Sequence, residues 1–200
     1  MRPVLLAVSL CSVLLLSAAQ AQTPLPPGTW PIADAPPQLR EPISRADLIV
    51  VSLQDTLRRE LTSALEKGGP AFAIQSCHVD VVGTIQRIER DKGIRAGRTS
   101  DRLRNSANAP KPWAAALVQT YAGRRAREVD GFVVDLGVAV GVLRPIAEQP
   151  LCASCHGPAK DIAPPVRSAL NNRYPHDRAV GFADGEIRGW FWVEVPKTLR

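Results

Sequence analysis

The chain has 200 residues, of which 45% are hydrophobic and 22% charged, enough apolar content for one domain with a buried core. Its 25 Lys and Arg outnumber 19 Asp and Glu, for a formal net charge of +6. That excess is modest and spread out, with Arg124-Arg125-Ala126-Arg127 the densest run, which argues against a nucleic-acid partner.

The chain opens with Met1-Arg2, an almost unbroken apolar run from Val4 to Leu16, and the small residues Ala19-Gln20-Ala21. Residues 1–21 therefore read as a secretory signal peptide cleaved near Ala21-Gln22, too short for a comfortable membrane span, and imply a periplasmic protein. An uncleaved anchor is the alternative. Cleavage leaves 24 Lys and Arg against 19 Asp and Glu, a net charge of +5, with no methionine and three cysteines, Cys77, Cys152 and Cys155. An odd cysteine count argues against a pure disulfide framework. No membrane span is expected in the remaining chain.

Residues 22–43 carry seven prolines and read as an extended leader that packs Trp30 on the body. The folded domain is expected over 44–200. A first helix is predicted over 44–66, with Ser44 as N-cap and Val50, Leu53, Leu57, Leu61 and Leu65 at helical spacing. Lys67-Gly68-Gly69-Pro70 stops it. A second helix is predicted over 70–91, with Ile74, Cys77, Val81, Ile85 and Ile88 along one stripe. Cys77 in that stripe is by pattern alone a small core thiol, with His78 about 100° further around the helix.

The stretch 92–112 is basic and turn-forming, and reads as irregular. Arg98, Arg102 and Arg104 within it are either solvated or positioned to hold carboxylates. A third helix over 112–127 carries Trp113, Leu117 and Tyr121. Residues 131–143, rich in Val and Gly, read as two short strands joined near Gly137 or Gly141. Arg144-Pro145-Ile146 then leads toward a short helical turn. A short helix over 161–171 and a strand over 189–195 complete an α+β pattern with an antiparallel sheet.

The chemistry centres on Cys152-Ala153-Ser154-Cys155-His156, the C-x-x-C-H attachment signature of a c-type haem. Two thiols add to the porphyrin vinyl groups, and the adjacent imidazole is placed to ligate the iron. A thioredoxin-like pair would open a helix after a strand in a βαβ unit, which the flanking Pro150 and Gly157-Pro158 do not suggest. A zinc site would need two further ligands, with only Cys77, His78 and His176 to supply them. Because cleavage removes Met1, a His/Met haem is excluded. The sixth iron ligand is then Cys77, His78, His176, a less usual group, or none.

Several motifs together resemble one family. They are Arg98-Thr99-Ser100 with Arg104-Asn105 and Asn108, Pro145-Ile146 ahead of the haem motif, and Tyr174-Pro175 followed by Asp177, Ala179, Gly181-Phe182 and Gly185-Glu186-Ile187-Arg188-Gly189. The chain resembles the exported bacterial single-haem c-type proteins with a PAS-like fold, long catalogued as a domain of unknown function. The resemblance implies a PAS-like antiparallel sheet with long N-terminal helices and one covalent haem c. It further implies His156 and Cys77 as the two iron ligands. On guanidinium–carboxylate chemistry, Arg98 and Arg104 are the arginines expected at the propionates. Trp190-Phe191-Trp192 departs from the small residues that follow the final glycine in many members.

A thiolate ligand stabilises ferric iron and implies a low potential. The function expected first is a redox or gas-responsive sensor module acting through a separate redox or signalling protein. A periplasmic electron carrier stands second, and a haem enzyme such as a peroxidase third, with no catalytic residue assigned.

Overall fold

The computed structural model describes residues 24–76 and 93–198. The predicted signal peptide, most of the second predicted helix, and Cys77 and His78 lie outside the described residues.

Among the described residues the fold is α+β, with five antiparallel strands in one sheet. They are β1 (Thr29–Pro31), β2 (Arg95–Thr99), β3 (Phe132–Asp135), β4 (Ala139–Ala147) and β5 (Ile187–Pro196), ordered β1-β3-β4-β5-β2. Side chains alternate across a strand, so each strand feeds two faces. One face presents Val133, Val140, Val142, Phe191, Val193 and Val195 to α1 (Arg40–Ser76), which answers with Ile43, Ala46, Val50 and Leu53. The opposite face, with Phe132, Val134, Leu143, Trp190 and Trp192, packs on Ala114, Leu117 and Val118 of α2 (Pro112–Thr120). Covering on both faces explains why β5 buries consecutive aromatic and apolar residues instead of alternating with polar ones. Two short helices, α3 (Pro150–His156) and α4 (Pro164–Arg173), complete the set.

Five sequence-based expectations change. The leader is more than a tether, because Thr29, Trp30 and Pro31 pair with Val134, Val133 and Phe132. A proline is tolerated there because β1 is an edge strand. Helix α1 starts at Arg40 and not at Ser44, whose hydroxyl donates back to Arg40 O at 3.0 Å inside the helix. The expected stop is present as a break within α1, where Gly68 and Gly69 leave helical geometry and Gly69 adopts φ 70°. Pro70 then opens a second helical segment, the position where its missing N–H costs nothing. Third, the stretch read as irregular contains β2. Fourth, β4 continues through Arg144-Pro145-Ile146, with Pro145 lying past the last β3 pair, Phe132↔Leu143. The third helix also ends at Thr120, earlier than predicted.

Strand β2 exists through tertiary pairing, since its five residues have little strand propensity of their own. Gly97 faces Trp192 in register, and a Cβ there would stand 2.7 Å from the indole Cζ2. Gly97→Ala is therefore expected to displace the Trp192 ring and cost about 1–2 kcal/mol by overpacking, measured as a lower urea midpoint with an unchanged m-value.

The end of the sheet nearest the C-x-x-C-H motif is irregular. Ile146 pairs with Gly189 and Ala147 with Ile187, so Arg188 has no partner on β4. Such a bulge re-aims the side chain of the extra residue.

Candidate functional site

The C-x-x-C-H motif forms one short helix. Pro150 occupies its first turn, where its fixed φ suits helix entry, and His156 is its last residue. Cys152 and Cys155, three residues apart, share one helical face, and both thiols are free and half-buried. Cys155 packs against a small apolar cluster of Ile74, Ile162, Val166 and Leu170. Burial pushes the Cys155 thiol up, with a weaker opposing effect from the Ser154 hydroxyl. A reactive disulfide-exchange thiol needs the opposite displacement, so the redox-pair reading gains no support. Among the described residues, no group of three or more His, Cys, Asp or Glu side chains converges as a metal site.

His156 is fixed in one tautomer. Its Nδ1 lies 2.8 Å from Ala179 O, and a carbonyl only accepts, so Nδ1 carries the proton and donates. Nε2 is then the bare, lone-pair nitrogen. Burial holds the imidazole pKa well below its ordinary range, reinforced by the charges of Arg104, Arg188 and Arg98. The ring is thus neutral at physiological pH. Phe182 stands edge-on to it, with ring centroids 6.3 Å apart.

Arg104 is the hub of this region. Its Nε donates to Asp177 Oδ2 at 2.9 Å, and its Nη2 donates to Cys155 O at 2.6 Å and Ala179 O at 3.3 Å. Its Nη1 approaches His156 Nε2 at 3.3 Å, where it donates to the bare nitrogen. Arg102 stands over Phe182, its guanidinium carbon 3.5 Å from the ring centroid, and pairs with Glu186. Arg98, on β2, is half-buried opposite Phe191 and contributes to the field at His156. Of the two arginines expected at a haem, Arg104 thus touches the motif directly, while Arg98 acts on it electrostatically. His176 is exposed on a turn.

The segment after α4 closes the site. Besides the Ala179 carbonyl, Gly181 N donates to Gly157 O at 2.8 Å and Phe182 N to His156 O at 3.1 Å. The Tyr-Pro…Gly-Phe…Gly-Glu-Ile-Arg-Gly pattern therefore encodes a clamp around the histidine. Sequence reasoning missed the roles of Asp177, Ala179, Phe182, Glu186 and Arg188, although all five sit in that pattern.

It also missed Glu148, which has no such signal. Glu148 follows β4, is 2% exposed, and neither of its carboxylate oxygens has a hydrogen-bond partner. Its backbone is pinned by Glu148 N donating to Glu186 O and Gly185 N donating to Glu148 O. Arg188 Nε stands 3.5 Å from Oε2. Burial pushes the carboxyl up to about 7, against the opposing attraction of Arg188.

No helix among the described residues is long and apolar enough to cross a membrane. A family model described as Tll0287-like matches residues 37–196. The chain is also similar to a solved structure, the crystal structure of the cyanobacterial heme-protein Tll0287. The two share 21% identity and a TM-score of 0.56 over 83% of this chain and 99% of that one, a likeness of fold. No curated protein matches the chain. The family match spans residues on every described strand but β1, together with the clamp and the C-x-x-C-H helix, and on that extent the chain belongs to the Tll0287-like family.

Proposed function

We propose that this is a periplasmic c-type haem-binding protein, with one haem attached to Cys152 and Cys155 and its iron held by His156. One observation carries the reading: the Nδ1–H of His156 is committed to Ala179 O, leaving Nε2 as a neutral donor one residue past two free thiols on one helical face. Metal-ligating histidines characteristically donate their other N–H to a carbonyl or carboxylate, which fixes the ring. Arg98, Arg104 and Arg188 around the imidazole suit the two carboxylates of a haem. Arg104 Nη1 occupies the Nε2 lone pair without a metal, so metal ligation requires that contact to give way. Membership of a family whose solved relative is a heme-protein supports the same reading.

We propose Cys77 as the second residue that would hold the iron. Ile74, three residues before it in sequence, packs in the same apolar cluster as Cys155. Held by that thiolate and imidazole pair, a haem iron would supply one-electron chemistry at low potential. The antiparallel β2-β5-β4-β3 run behind a long N-terminal helix supports a PAS-like module, and the function it suits best is a redox or gas-responsive sensor acting through a separate protein.

An electron carrier is the second reading. Leu151, 48% exposed beside Cys152, leaves an apolar spot at the attachment edge where a redox partner would dock. Cys77→Ala is expected to abolish the thiolate signature in the ferric EPR spectrum, and an unchanged spectrum would remove Cys77 from the iron. CO or NO binding by the reduced protein, with slow electron exchange, is the expected sensor result. Rapid electron exchange without gas binding would favour the carrier.

A further inference from the structure

The groups described so far hold and orient the histidine. Glu148 does neither, yet it is among the most deeply buried polar side chains among the described residues. It sits where the β5 bulge turns Arg188 toward it, at 3.5 Å and without hydrogen-bond geometry. A buried carboxylate with both oxygens unsatisfied is costly and persists in native structures mainly for a reason.

The groups acting on Glu148 come from three parts of the fold. Arg188 on β5 and Arg104 on the loop after β2 attract its anion, while Glu186 and Asp184, in the turn before β5, repel it. Arg188 and Arg104 are also the two arginines acting most strongly on His156. Glu148 and His156 thus share the same two guanidinium groups, which attract the Glu148 anion and disfavour a His156 cation. Any change in charge beyond His156 Nε2 is felt by Glu148 through the same pair of guanidinium groups.

We propose that Glu148 is the proton-binding partner of the haem electron, so that the protein takes up one proton as it takes up one electron. This rests on the haem reading above. In the balanced step, a one-electron reductant (a donor protein in its compartment, dithionite in the test) converts ferric to ferrous iron. One solvent proton adds to the Glu148 carboxylate, giving a neutral carboxyl and leaving the net charge of the site unchanged. Reoxidation by a one-electron acceptor releases the proton.

The sign follows from electrostatics. Reduction adds negative charge near Arg104 and Arg188, so they stabilise the Glu148 anion less and its proton affinity rises. The free carboxyl already titrates near neutrality, at about 7, so the affected window includes physiological pH. Across it, each pH unit should change the reduction equilibrium up to tenfold, about 59 mV for one electron.

The test is spectroelectrochemical titration of the holoprotein from pH 5 to 9, beside Glu148→Gln and Arg188→Gln. The expected result is a potential that falls with pH in the parent and is flat near neutrality in Glu148→Gln. Arg188→Gln should move the falling window to higher pH, because a cation that favours the anion is gone. A redox-difference infrared spectrum should show a protonated-carboxyl carbonyl band in the parent and none in Glu148→Gln. Haem present with a slope unchanged in Glu148→Gln assigns the proton to another group and overturns this proposal while leaving haem binding intact. A protein that takes no haem overturns both.

Discussion

Arg104→Ala is expected to lower the unfolding free energy by about 3–5 kcal/mol, the usual cost of removing one partner from a buried ion pair. The side chains of Arg104 and Asp177 are 16% and 9% exposed, so the loss would leave a carboxylate largely out of water. It would also strand the Cys155 carbonyl, which accepts from Nη2 at 2.6 Å, and loosen the segment that supplies Ala179 O to His156. Arg104→Lys should recover only part, because a single ammonium cannot span Asp177, Cys155 O and Ala179 O as the planar fork does. Urea unfolding measures both effects, and a loss under about 1 kcal/mol for the alanine variant would show Arg104 to be peripheral.

Glu148→Gln is expected to act in the opposite direction above neutral pH. The carboxyl titrates near 7 in the folded chain, above its ordinary 4.5, so the native state binds this proton more tightly than the unfolded state does. Stability contributed by the protonated form is therefore complete below about pH 4.5 and is lost as pH rises through 7. A displacement of this size corresponds to about 3 kcal/mol at pH 8. The glutamine variant lacks that loss. Its unfolding midpoint, compared with the parent's at pH 5 and pH 8 in protein expressed without haem-assembly machinery, should gain on the parent as pH rises. Parallel pH profiles would mean that Glu148 is ionised and well solvated in the folded chain.

The parts of the fold that could be read from the sequence are those whose local chemistry and tertiary role agree. Val133, Val134, Val140 and Val142 around Gly137 announce a hairpin, and Gly137 turns it with φ 82°. Gly68-Gly69-Pro70 announces the break in α1 for the same reason. Strand β2 was not legible, because Arg95-Ala96-Gly97-Arg98-Thr99 carries neither alternation nor strand-forming bulk. Its pairing partner lies about ninety residues away in sequence, and nothing local reveals it. The edge strand around Pro31 was hidden by its prolines in the same way.

The site was legible in its donors and illegible in their supports. Cys152, Cys155 and His156 announce themselves by spacing, whereas a backbone carbonyl at Ala179 has no side-chain signature. By its chemistry alone Arg104 suits propionates, and its four contacts in the fold are to Asp177, Cys155, Ala179 and His156. Glu148 is one acid between a strand and a proline, and only the chain reversal at residues 183–187 reveals that it is buried.

The central claim is that haem is fixed to this helix, and mass spectrometry of the proteolytic peptide containing Cys152 to His156 tests it most directly. Protein matured with c-type haem-assembly machinery should yield that peptide with one haem added through both cysteines. Recovery of the peptide unmodified, with two free thiols, would contradict the account.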